Sequence, residues 1–252
     1  PEGHHLWASL GALWRLANHW PDVELALPLL ARRSCQCPRE GLSMNIAIAI
    51  VAKAPIPGLA KTRLARVVGN DAAAEMAAHL LRHTLSEAKR SGLTVTLHGT
   101  PADNTLLSEI SIQTGLNLSN QVDGDLGCRL ASVVTQELKT HDGVLVMGSD
   151  CPDLTAERLL AAAAALKDHD AVFYPALDGG YTLIGLRQMA VELFSDMPWS
   201  TDEVMPETLR RLQRLGWRVW QGPALADIDR YEDFEYLPPH WPRPKALNEA
   251  WS

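Results

Sequence analysis

From Asn45 onward the apolar residues fall into two kinds of run. Asn45 to Ala52 (NIAIAIVA) is short, unbroken and rich in branched side chains, which predicts a strand buried on both faces of a sheet. Asp71 to Arg90 instead spaces its alanines and leucines at helical intervals and stops before Gly92, a residue type that closes helices. Leu93 to His98 predicts a second strand, followed by helices over Thr105 to Thr114 and Leu126 to Lys139. Next come a strand over Gly143 to Met147 and a helix over Thr155 to Lys167, with Thr155 placed to cap it. Strands over Ala171 to Pro175 and Tyr181 to Leu186, a helix over Thr201 to Leu215, a strand over Trp217 to Gln221 and a short helix over Tyr231 to Tyr236 complete the series. Such alternation predicts an α/β fold with a mainly parallel central sheet, whose ligands gather at the carboxyl ends of strands.

Residues 1–43 depart from this pattern. They contain three of the eight tryptophans and two of the four cysteines, and their apolar runs, Leu6 to Leu16 and Val23 to Leu30, are broken by Pro21 and Pro28. No phosphate loop or acid pair lies there, so the segment reads as a peripheral extension or a misassigned start. A domain over residues 44–240 and a tail over 241–252 follow it. Four acidic and four basic residues cancel within 1–43, which assigns the whole formal charge of -7 to the remainder. That charge argues against nucleic acid or an anionic membrane as a partner, since either needs a basic face. No run approaches the roughly 18 apolar residues of a membrane span, and no signal-peptide pattern occurs, so a cytoplasmic location is expected. Cys35, Cys37, Cys128 and Cys151 lack zinc-site spacing and read as reduced thiols.

Against a net negative charge, the loop after the first strand stands out. Lys53, Lys61, Arg63 and Arg66 fall in KAPIPGLAKTRLAR without an intervening acid. Two prolines stiffen the loop, and Gly58 permits close backbone approach by a ligand. Lysine as a point charge and arginine as a fork are the usual phosphate-binding pair, although a solvated basic turn is the plainer alternative. The loop is not a Walker A sequence, which disfavours a P-loop ATPase.

Acids follow the later strands. Asp150, directly after Gly143 to Met147 and before Pro152, suits a hard divalent cation. Asp153 reads as a helix cap, and Cys151 has no histidine near it in sequence to make it a nucleophile. Asp178 in Asp178-Gly179-Gly180 is either a second site acid or a plain turn. Asp227 and Asp229 fall on one side of any extended segment, and one of them is expected to complete a magnesium site with Asp150.

The motifs AKAPIPGLAKTRL, GDLGCRL, GSDCPDL, DGGYTLIGL, PWSTDEV and DIDRYEDF occur in that order. Together they resemble a bacterial group of glycosyltransferase-like proteins (transferase 1, associated with radical-SAM and selenium-domain genes, DUF2064) over about residues 45–237. The resemblance implies the nucleotide-diphospho-sugar transferase, or GT-A, fold: three α/β/α layers around that sheet. Phospholactate guanylyltransferases and molybdenum-cofactor nucleotidyltransferases look similar in the basic loop, the acid after the central strand and the late Asp-x-Asp. It further implies nucleotide contacts from Lys53, Gly58, Lys61 and Arg63, with Gly124, Asp125 and Arg129 lining the same cleft; capping by Asp125 is the competing reading. Trp199, Ser200 and Thr201 would form a lid over an acceptor, or the entry to the next helix. The implied catalytic set is Asp150, Asp178 and Lys61, and the implied metal set is Asp150 with Asp227 or Asp229, holding magnesium or manganese. The first loop lacks the double glycine of the molybdenum-cofactor enzymes, and Asp150-Cys-Pro lacks the Asp-x-Asp of many glycosyltransferases. The expected activity is metal-dependent transfer from a nucleotide-activated donor to a small-molecule acceptor. The donor is a nucleotide sugar giving up its sugar or, alternatively, a nucleoside triphosphate giving up a nucleotidyl group to a phosphorylated acceptor. A nucleotide-binding module without catalysis is the remaining alternative.

Overall fold

The structure is a computed structural model, which describes residues 44–101 and 103–247. The readings made for residues 1–43, Cys35 and Cys37 included, and for the end of the tail lie outside the described residues.

Among the described residues seven strands form one sheet: β1 (Ile46–Lys53), β2 (Thr94–Thr100), β3 (Asn117–Asn120), β4 (Gly143–Met147), β5 (Ala171–Pro175), β6 (Tyr181–Leu186) and β7 (Val219–Gln221). Their order is β3-β2-β1-β4-β6-β5-β7. β6 runs antiparallel to both neighbours, and every other pairing is parallel. Only residues 176–180 separate β5 from β6, too few for the crossover that parallel neighbours need. Six α-helices among the described residues accompany the sheet: α1 (Thr62–Val68), α2 (Asn70–Arg90), α3 (Thr105–Thr114), α4 (Leu126–Glu137), α5 (Ala156–Leu166) and α6 (Val204–Leu215).

The unbroken apolar run of β1 explains its central place. Alternate side chains feed two cores: Ile48 and Ile50 pack with Leu81, Leu85 and Leu159 from α2 and α5, whereas Ala49 faces Leu130, Val133 and Leu212 from α4 and α6. Three layers, α/β/α, result. A third cluster joins Leu64 and Val68 of α1 to Met76 and Leu80 of α2 and to Ile228 and Phe234, anchoring the late acidic segment beside the first loop.

Several element ends differ from expectation. The helix expected from Thr201 begins at Val204, because Ser200 takes a positive φ of 66° and the Thr201 hydroxyl closes a turn onto Pro198 O at 2.7 Å. The expected strand from Trp217 begins at Val219, and Glu232–Tyr236 is a 3₁₀ turn. Thr155 occupies the N-cap of α5 without a side-chain capping bond. Polar β3 and short α1 carry too little pattern to be expected from sequence.

Candidate functional site

The carboxyl ends of β1 and β4 open on the same edge of the sheet, and the Asp227 to Asp229 segment crosses beside them. Ala54 N donates to Thr100 O at 2.8 Å, fixing the start of the first loop against the end of β2. The loop then turns through Gly58, with φ at 79°, and reaches Lys61 in the left-handed region at φ 49° and ψ 47°. That conformation costs a non-glycine residue about 1–2 kcal/mol. It turns the Lys61 side chain inward, where only 5% of it is exposed.

The buried ammonium has two partners. It lies 2.8 Å from Asp150 Oδ1 and donates to the carbonyl of Ile228. Ile228 N in turn donates to Asp150 O at 2.9 Å, so the first loop, the end of β4 and the late acidic segment are tied at one junction. The Asp150 side chain remains 45% exposed and faces a cavity of about 390 Å³.

Asp178 and Asp227 line that cavity with Asp150. Burial pushes the Asp227 carboxyl up to about 7; the charge of Asp150 adds to this, Lys61 opposes it, and Asp178 and Asp229 contribute further repulsion. Two hard-oxygen ligands crowded around one ammonium suit a divalent cation, whose charge would relieve the repulsion. Among the described residues no group of three or more His, Cys, Asp or Glu is placed to hold a metal ion. A carboxylate pair completed by substrate phosphates is how magnesium is commonly held.

The expected residues separate into two groups. Asp150, Asp178 and Asp227 share the cavity and Lys61 supports it from behind. Asp229 instead turns to Arg63, with Nη1 to Oδ2 at 2.8 Å, and does not line the cavity. Lys53 is exposed at the end of β1, and Gly58 is exposed in the loop. Asp125 caps α4, accepting from Cys128 N at 2.8 Å, a bond that holds its carboxyl below the usual range. Arg129 donates from Nε to Gly124 O at 3.1 Å. Gly124, Asp125 and Arg129 thus brace the start of α4, while Leu126 and Leu130 of the same helix reach the cavity wall. Trp199, Ser200 and Thr201 line the cavity as well. Asp178 Oδ1 accepts from Gly180 N at 3.0 Å, so the Asp-Gly-Gly segment is a turn and a cavity edge at once.

Cys151 is buried, and that burial, reinforced by the charge of Asp227, pushes its thiol up to about 12, which leaves it protonated and poorly nucleophilic. The apolar wall, Val51, Leu126, Leu130 and Ile184, was invisible in the sequence, because a strand or helix pattern marks a buried face without distinguishing core from cavity. The Tyr181 hydroxyl and the Trp199 indole N–H are buried in that wall and have no hydrogen-bond partner among the described residues.

The raised Asp227 value gives a pH dependence with a definite sign. The folded chain holds this proton up to about pH 7, while the unfolded chain releases it near the ordinary value of 3.8. Stability therefore falls as pH rises from about 4 to 7. Metal-free Asp227→Asn is expected to be more stable than the parent by about 2–4 kcal/mol at pH 8, with the difference fading towards pH 4. Urea unfolding in chelator at both pH values checks this, and a gap that does not change with pH would show an undisturbed carboxylate.

Residues 80–201 match a family model described as "Uncharacterized protein conserved in bacteria (DUF2064)". In structure the chain is similar to a candidate nucleotide-diphospho-sugar transferase from Desulfovibrio desulfuricans G20, at 31% identity and a TM-score of 0.71, over 76% of this chain and 85% of that one. A cytidylyltransferase from Leptospira borgpetersenii is similar at 16% identity and a TM-score of 0.52, over 77% of this chain and 84% of that one. Rv0371c of Mycobacterium tuberculosis H37Rv, solved in complex with manganese, is similar at 13% identity and a TM-score of 0.50, over 76% and 96%. The α/β/α arrangement with a mixed, mainly parallel sheet is that of GT-A-like nucleotidyltransferases. No curated protein matches the chain. Among the described residues no helix is long and apolar enough to cross a membrane.

Proposed function

On the premise that residues 80–201 are a DUF2064-family domain, we propose that the chain is a metal-dependent nucleotidyltransferase acting on a nucleoside triphosphate and a small acceptor. The observation that carries this reading is the Asp150 and Asp227 pair, joined through Lys61 to a basic loop at the ends of β1 and β4. The cytidylyltransferase likeness favours the nucleotidyl form, and the manganese of the Rv0371c complex suits an oxygen-ligand pair.

Asp150 and Asp227 would hold magnesium or manganese, which when bound neutralises charge on the transferred and departing phosphates. Lys61 keeps Asp150 in place and offsets part of the acidic charge. Lys53 at the end of β1 and Arg63 at the start of α1 are exposed cations that can turn to phosphate oxygens, Arg63 by sharing its guanidinium with Asp229, and Gly58 lets the backbone approach them. Gly124, Asp125 and Arg129 hold the start of α4 at the side of the nucleotide cleft. In the reaction an acceptor oxygen attacks the α-phosphorus, the bond to the β-phosphate oxygen breaks, and pyrophosphate leaves. Asp178 on the cavity edge is placed to orient the acceptor and take up its proton, and the apolar wall excludes water.

Glycosyl transfer from a nucleotide sugar is the second reading, favoured by the 31% identity to the Desulfovibrio protein. Incubation with magnesium or manganese and a panel of nucleoside triphosphates and nucleotide sugars separates the two. Pyrophosphate release supports nucleotidyl transfer and nucleoside diphosphate release supports glycosyl transfer. Nucleotide binding without either product would leave a binding module and sink both.

A further inference from the structure

A second pocket, of about 240 Å³, shares no residue with the acid-lined cavity. Its walls are Arg63, Arg66 and Val67 on one side and Arg230, Tyr231 and Glu232 on the other. Arg63 and Arg66 are three apart on α1, the spacing that sets two side chains next to each other on a helix surface. Among the described residues Arg66 and Arg230 form no ion pair, and Glu232 is the one carboxylate of the wall, Asp229 being engaged by Arg63.

The far wall is held rigidly. Asp233 Oδ2 accepts from Asp229 N at 2.8 Å and from Arg230 N at 2.6 Å, and the Tyr231 ring packs on Phe234 at 5.2 Å. Three exposed guanidiniums against the two carboxylates of Asp229 and Glu232 leave this concave site net positive in a chain of net charge -7, which favours an anion between them. Guanidinium forks match phosphate oxygens in pairs. The pocket is smaller than the roughly 300–1,000 Å³ of whole-ligand sites, so it suits a phosphate group and not a complete nucleotide.

We propose that Arg63, Arg66 and Arg230 form a phosphate-class oxyanion pocket that receives the terminal phosphates of the donor triphosphate and then the departing pyrophosphate. This rests on the nucleotidyltransferase reading and adds Arg66 and Arg230 to its binding residues. The pocket lies beside the metal-pair junction, because Arg63 is bonded to Asp229 and Lys61 to the adjacent Ile228 carbonyl. The terminal donor phosphates can therefore extend from the Asp150 and Asp227 pair towards the arginines, which leaves Asp178 for the acceptor.

Calorimetric titration of the full chain with inorganic pyrophosphate, with ATP, GTP, CTP and UTP, and with the matching monophosphates tests the proposal. Arg66→Ala and Arg230→Ala are each expected to weaken pyrophosphate and the preferred triphosphate at least about tenfold, the scale of one charge-assisted hydrogen bond. Monophosphate affinity should stay within about twofold, and Arg214→Ala, an exposed guanidinium on α6, should change nothing. Unchanged pyrophosphate and triphosphate affinity in both variants overturns the proposal, as does a wild type that binds no pyrophosphate. Weaker pyrophosphate with an unchanged triphosphate also overturns it, since the pocket would then hold free oxyanions and not the donor. The two readings fail separately: arginine-dependent triphosphate binding without turnover removes the transferase reading alone, and turnover with unaffected variants removes the pocket alone.

Discussion

Asp150→Asn is expected to lower metal-dependent nucleotide turnover at least about a hundredfold, the scale of the several kcal/mol that a bound metal supplies to phosphate chemistry. Asparagine keeps the shape and an oxygen for the Lys61 ammonium, now 2.8 Å from Oδ1, but removes the charge that a cation needs. Because the Lys61 side chain is only 5% exposed while that of Asp150 is 45% exposed, loss of the counter-charge should cost about 1–3 kcal/mol of stability, which leaves the chain folded. Turnover assays with magnesium, set beside urea unfolding, separate the two effects. Full activity in the variant would remove Asp150 from the metal role and move attention to Asp178.

Gly179→Ala should be among the most destabilising single-methyl changes in the chain. Gly179 sits at φ +92°, and an added Cβ would lie 2.4 Å from Asp202 Cα and 2.6 Å from Asp202 O, both backbone atoms that cannot rotate away. Its carbonyl also accepts from Met205 N at 2.9 Å, so the turn is held from two sides. Left-handed backbone costs about 1–2 kcal/mol and the forced shift about 1–3 kcal/mol, together near 3 kcal/mol. A domain of this size should then melt about 6–12 °C lower. The shift would also move Ser200 and Thr201, which line the cavity, so ligand affinity should fall with stability. Gly180→Ala is the control: its Cβ would meet only Asp178 Oδ1 at 3.3 Å, and its cost should stay under about 1 kcal/mol. Equal melting of the two variants would contradict the close approach to Asp202.

Those two adjacent glycines illustrate how unevenly the site could be read. Asp-Gly-Gly announces a turn, but which glycine is indispensable depends on a segment more than twenty positions further on. The same holds for the late acids. Asp227 and Asp229 share one side of an extended strand, so the sequence left either as a partner for Asp150. The Arg63 guanidinium engages Asp229 at 2.8 Å and Asp227 faces the cavity, a division made by the placement of α1. Lys61 was legible as a charge in a basic loop. Its burial against Asp150 was not, because a lysine in left-handed backbone carries no sequence signature.

What the sequence determined by itself is local and periodic. The run over Ile46–Lys53 buries both faces because successive side chains alternate, the spacing over Asn70–Arg90 gives one apolar helix face, and an acid follows β4. These follow from neighbouring residues alone, which is why element types were predictable while several ends shifted by one to three residues. Tertiary structure decided which ends meet. It set β6 antiparallel between β4 and β5, brought Lys61 to Ile228 across 167 positions, and left a cavity with one apolar wall instead of a filled core beside Asp150. Such contacts depend on how whole layers pack, and no local period encodes the distance between residues that only the closed sheet makes neighbours.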